Sequence, residues 1–117
     1  MHRFHELEVY KKAIKFTRTA RDVTKSFPRQ ELFMLTSQFA RAADSIALNI
    51  AEGAGNTSKR EFAKFIGYSI RSGYECVACS DIAVEQDHIS EKIHQHVFQQ
   101  VDAIIAMLVG LQKSLER

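Results

Sequence analysis

The chain has 117 residues, 45% apolar and 26% charged, with one Pro and five Gly, a composition that excludes disordered and collagen-like classes and points to a single folded domain over residues 1–117. No apolar run approaches the length of a membrane span, and Met1-His2-Arg3-Phe4-His5-Glu6 is no signal peptide, so a cytoplasmic protein with reduced Cys76 and Cys79 and no membrane partner is expected. The net charge of +2 is uneven: residues 1–60 hold eleven Lys/Arg against six Asp/Glu and residues 61–117 hold five against eight, which suits an anionic partner for the first half or an oligomer pairing unlike faces.

Helix 1 is predicted over 7–25. Val9, Ala13, Phe16, Ala20, Val23 and Phe27 recur at 4-and-3 spacing, the mark of a core-facing stripe. Lys11, Lys15, Arg18, Arg21 and Lys25 lie almost opposite, within roughly 120° of arc, and Lys12 and Arg29 extend this basic face. Such a stripe is usually a solvated surface, but its length of some 20 Å is enough to follow several phosphates of RNA or DNA. No aromatic residue interleaves with the charges, so base stacking is not expected there.

Ser26-Phe27-Pro28 ends helix 1, and helix 2 is predicted over 30–53. Its core stripe is Leu35, Phe39, Ala42, Ile46 and Ile50. Beside it, Gln38, Ser45, Asn49 and Glu52 form a polar stripe, and Ala40, Ala47 and Ala51 a stripe of small side chains. The helix lacks the Lys/Glu-rich face of an ordinary surface helix, so it is expected to be covered on most sides. Gly53-Ala54-Gly55-Asn56 offers glycines for a left-handed cap.

Ser58-Lys59-Arg60-Glu61 is a capping box that starts helix 3, predicted over 59–86. Its seam of Ser69, Ser72, Gly73, Cys76, Cys79, Ser80 and Ala83 is small enough for close helix contact. Cys76 and Cys79 lack the further ligands that zinc needs and the strand-to-helix turn of a redox motif, so they are expected as buried small residues. His2, His5, His88, His94 and His96 form no metal pattern and are expected at the surface, and neither a metal nor a cofactor is implied. Glu52 and Glu75 sit on uncharged faces, where paired carboxylates can do acid–base work. With no nucleophile or phosphate loop nearby, the favoured reading is a buried polar network of Gln38, Ser45, Asn49 and Glu52 with Ser72 and Glu75, and no enzyme.

Asp87-His88-Ile89-Ser90 is a turn with Ser90 as N-cap, and helix 4 is predicted over 91–115. Its core stripe is Ile93, Val97, Val101, Ile104, Leu108, Leu111 and Leu115, and Phe98, Ile105 and Val109 sit about 100° round from it. Four long helices joined by short turns give an all-α, antiparallel up-down-up-down four-helix bundle. The surplus surfaces of Phe98, Ile105 and Val109, with Ala40, Ala47 and Ala51, are assigned to contacts between copies in a homo-oligomer.

Several blocks also match a known family. They are Phe4-x-x-Leu7, Phe27-Pro28 with Glu31, Leu35-Thr36-x-Gln38, Arg41-Ala42-Ala43-x-Ser45-Ile46, Asn49-Ile50-Ala51-Glu52-Gly53, Ser58-x-x-Glu61-Phe62 and Ser72-x-x-Glu75. Together they resemble the 23S rRNA intervening sequence proteins, also called the four helix bundle protein family, over nearly the whole chain. The resemblance implies a bacterial protein whose four-helix protomers form a ring-shaped homopentamer, in a family whose biochemical role is largely undefined. The accessory variability proteins of diversity-generating retroelements are similar in fold and bind nucleic acid and a reverse transcriptase through a basic surface. The chain departs from the family pattern at Ala40, Arg71 and Cys76. The missing cation at 40 weakens a basic groove along helix 2, whereas Arg71, with Arg41, offers charge nearby. The leading expectation is a non-enzymatic oligomeric scaffold binding RNA or DNA, and the alternative is a protein–protein adaptor with no nucleic-acid ligand.

Overall fold

Apolar periodicity places four helices in the computed structural model, which describes residues 3–56 and 58–117. His2 therefore lies outside the described residues. After a 3-10 turn at Phe4–Glu6 come α1 (Glu8–Thr24), α2 (Ser37–Ala54), α3 (Lys59–Glu85) and α4 (Glu91–Leu115), with no strand among the described residues. The α1 and α2 stripes are buried as their spacing predicts, and Phe16, Phe39, Ile46 and Ile50 are sealed from solvent. Each such side chain contributes roughly 1.5–3 kcal/mol at most relative to exposure. In α4 the buried set is Val97, Val101, Ile104 and Leu108, and Ile93 at the N-terminal end is exposed.

The four helices share one core, in a body of 44 × 23 × 20 Å. The α2–α3 and α3–α4 interfaces are the most extensive, and α1 packs on both α2 and α4. The small seam of α3 explains this. Ser69, Gly73, Cys76, Cys79, Ser80 and Ala83 are all buried, and the Ser69 hydroxyl donates to the Ile46 carbonyl at 2.9 Å. Caps fall where the sequence puts them: Ser58 Oγ accepts from Glu61 N at 3.2 Å, and Ser90 Oγ from Ile93 N at 3.1 Å.

Two local expectations are corrected. The first is the start of helix 2, which is a 3-10 turn at Arg29–Glu31 and then a π-helical turn at Leu32–Thr36 before the α-helix begins. Glu31 is anchored to His88 at 2.9 Å and Leu35 is buried in the core. A wider turn satisfies both anchors and leaves Leu32, Phe33 and Met34 facing outward. The second is the end of helix 2, where Gly55 keeps a right-handed φ of −74°. Gly53 is required by proximity instead: a Cβ there would stand 2.7 Å from the Cβ of Phe65. The one left-handed non-glycine residue described is Asp87, with φ 61°, at the end of α3.

Candidate functional site

A groove of about 1050 Å³ runs between α1 and α2. Lys15, Arg18, Arg21 and Lys25 form its α1 wall, because residues three and four apart share a helix face. Asp44, Ala47, Leu48 and Ala51 form the α2 wall, so Ala47 and Ala51 of the alanine stripe line this groove and Ala40 does not. Ala47 is buried within the chain, and Ala40 and Ala51 are half-buried.

The charges of the groove are not equivalent. Arg21 donates from both terminal nitrogens to Asp44, at 2.8 and 2.9 Å. That hydrogen-bonded pairing, reinforced by the carboxylate charge, raises the Arg21 pKa above its already high ordinary value. Lys25 pairs with Asp22 at 3.2 Å and Lys11 with Glu8 at 3.2 Å, both along one helix face. On α1, Lys12, Lys15 and Arg18 have no carboxylate partner among the described residues, so they are the cations of that helix open to an anionic ligand. Lys12 and Lys15 also line a smaller groove of about 340 Å³ between α1 and α4, beside His96, Gln99 and Gln100. The basic ridge is thus flanked on both sides. Arg29 is exposed in the 3-10 turn before α2.

The buried polar network is not formed within the chain. Gln38, Glu52 and Glu75 are exposed, Ser45, Asn49 and Ser72 are half-buried, and Asn49 donates only to the Ser45 backbone carbonyl one turn back. The reason is the α3 seam: the buried polar positions are Ser69 and Ser80, one small residue at each close contact. Gln38, Arg41, Ser45, Ser72 and Glu75 instead line an open groove of about 510 Å³ between α2 and α3, with Phe33 and Met34 at its lip. Glu52 is not among its lining residues, so the two carboxylates do not share this groove. Arg71 is exposed, its guanidinium carbon 5.8 Å from the Tyr68 ring centroid.

The α4 shoulder is divided between the chain's own packing and its surface. Ile105 is half-buried and fills the notch at Gly73, where an added Cβ would meet Ile105 Cγ1 at 2.9 Å. Val109 is half-buried and Phe98 is exposed. Ile105 is therefore an intrachain contact in this fold, because α3 approaches closely enough to bury it.

Two histidines are more enclosed than the sequence suggests. His88 Nε2 is 2.9 Å from Glu31 Oε2, and its ring lies against Phe27. His94 Nδ1 is 2.7 Å from Ser80 Oγ, and His94 Nε2 is 3.2 Å from Asp81 Oδ1. Ser80 is completely buried, so its hydroxyl is a structural partner of His94 and not an accessible nucleophile. His5 and His96 are exposed. Cys76 and Cys79 are free and buried; burial pushes both thiols up, Cys79 to about 11 with help from the Glu75 charge, which makes them poor nucleophiles. Ser80–His94 was hidden in sequence because only the pairing of α3 with α4 brings them together. For Glu31 and His88, their positions at two adjacent turns were the available signal.

Comparison with known proteins agrees with this architecture. A crystal structure of a protein of unknown function from the S23 ribosomal protein family of Bacteroides thetaiotaomicron superposes with a TM-score of 0.83 at 19% identity, covering 90% of this chain and 98% of that one. At that identity the likeness speaks for the fold alone. No curated protein matches the chain. Residues 5–110 match the family described as 23S rRNA-intervening sequence protein. The chain belongs to the 23S rRNA-intervening sequence protein family.

Proposed function

We propose that this protein is a non-enzymatic helical scaffold that binds RNA or DNA through the α1 ridge. The observation that carries the reading is the row of Lys12, Lys15 and Arg18, which lack carboxylate partners among the described residues and stand between two grooves. These three cations, three residues apart, rise about 9 Å along α1, a reach that meets successive phosphates of a strand. The paired Arg21 and Lys25 border the site and contribute less.

An up-down-up-down course in one domain suits four helices joined by short turns, and α1 and α3 each packing on both α2 and α4 supports it. Assembly as a homo-oligomer, a pentamer by resemblance, is supported by Leu48, Tyr74 and Ile82, which are 63%, 60% and 50% exposed. A cytoplasmic site of action goes with this reading, and no helix is long and apolar enough to cross a membrane among the described residues.

The same exposed apolar residues favour a second reading, a protein–protein adaptor with no nucleic-acid ligand. Two experiments separate them. The chain has no Trp and three Tyr, so copurified nucleic acid raises the 260/280 absorbance ratio well above that of the protein. Lys15→Glu with Arg18→Glu is expected to abolish RNA and DNA binding while leaving helicity unchanged. Binding that survives both reversals refutes the proposal, and a nucleic-acid-free preparation that binds neither polymer supports the adaptor.

A further inference from the structure

We infer that the α2–α3 groove is a pocket for an unpaired guanine base of the bound strand, with Phe33 as its stacking platform. This rests on the nucleic-acid reading of α1 and adds a site for the base to one for the backbone. The first observation is Phe33, which is 90% exposed and stands at the lip of the groove on the π-helical turn. A phenyl ring left in water is an unfavourable feature unless something covers it, and π-helical turns recur at functional sites. The second observation is chemical. Gln38, Arg41, Ser72 and Glu75 line one groove, yet among the described residues no side-chain hydrogen bond or ion pair joins any of them to another. A guanidinium and a carboxylate that share a groove without pairing are both available to one ligand with matching charges and donors.

The groove of about 510 Å³ is in the size range of a nucleotide site. Guanine alone among the RNA bases presents two adjacent donors on its Watson–Crick edge, N1–H and the N2 amino group, and a carboxylate accepts both at once. Glu75 is the carboxylate of the groove, Gln38 can donate to the guanine O6, and Arg41 suits the attached phosphate. Unstacked bases are commonly read by an aromatic face together with hydrogen bonds to this edge.

The test uses two labelled hexaribonucleotides at one salt concentration, one all uridine and one with two guanines among uridines. The wild-type chain is expected to bind the guanine-containing strand about tenfold more tightly. Phe33→Ala and Glu75→Gln, both at exposed positions, are expected to bring that preference below about twofold with circular dichroism unchanged. Lys15→Glu with Arg18→Glu is expected to abolish binding of both strands. Equal wild-type affinity for the two strands overturns the base pocket and leaves the α1 reading intact, whereas binding of neither strand overturns both. Light scattering on Phe33→Ala closes the remaining route: a fall in mass identifies Phe33 as a contact between copies and overturns its stacking role.

Discussion

Phe65 Cβ leaves no room for a side chain at residue 53, and the glycine there sets how closely α3 can lie on α2. Gly53→Ala forces two backbones apart, because the clash is with a Cβ and not with a flexible side-chain end. It is expected to destabilise the fold by about 1–3 kcal/mol, read as a lower midpoint in urea. Gly110 lies in α4 with open space around it, so Gly110→Ala is expected to stabilise by up to ~1 kcal/mol in the same assay. The buried thiols give a second residue-scale prediction. In the unfolded chain they lose protons near pH 9, whereas burial holds Cys79 protonated to about 11 and Cys76 further still. Above that ordinary range the unfolded chain binds fewer protons than the folded one, so stability falls as pH rises. Each thiol contributes a slope of about 1.4 kcal/mol per pH unit. Stability measured between pH 8 and 11 is expected to fall less steeply in Cys79→Ala than in the wild type; parallel curves would show that this thiol ionises as freely in the fold as in the unfolded chain.

At the scale of elements, caps fix where helices begin. Ser90 Oγ satisfies the Ile93 amide at the start of α4, and Ser90→Ala is expected to cost about 1 kcal/mol, seen in thermal unfolding. That cap, the Ser58 cap and the α1 and α2 core stripes were all legible in sequence, because each depends on spacing within one helix. What depended on the neighbouring helix was not. Ile105 reads as surplus until Gly73 of α3 is placed against it. The polar stripe of Gln38 and Glu52 reads as buried for want of Lys, yet these side chains reach solvent because α3 meets α2 through small residues such as Ser69, on the Ile46 side of the helix. The basic face of α1 was legible as a stripe, but the division into paired Arg21 and unpaired Arg18 required Asp44 from α2. The π-helical turn was hidden because Glu31 is held by His88, 57 residues away in sequence.

For the whole molecule, the exposed Leu48, Tyr74 and Ile82 support the proposal of assembly, and Lys12, Lys15 and Arg18 on α1 support that of a polyanionic ligand. Light scattering at micromolar concentration is expected to give about five times the protomer mass of 13.3 kDa, and a protomer mass would refute assembly. Tyr74→Asp with Ile82→Asp is expected to lower the mass without loss of helicity if these side chains are the contact. An intact oligomer would move the interface to Leu48 and the α1–α2 side. The central claim is that phosphates are held by Lys12, Lys15 and Arg18, and salt dependence tests it most directly. With three phosphates neutralised on a single strand, the slope of log affinity against log salt concentration is expected to be about −2 per engaged protomer. Lys15→Gln should make it shallower by about 0.7. A flat slope, or one that Lys15→Gln leaves unchanged, would contradict the account.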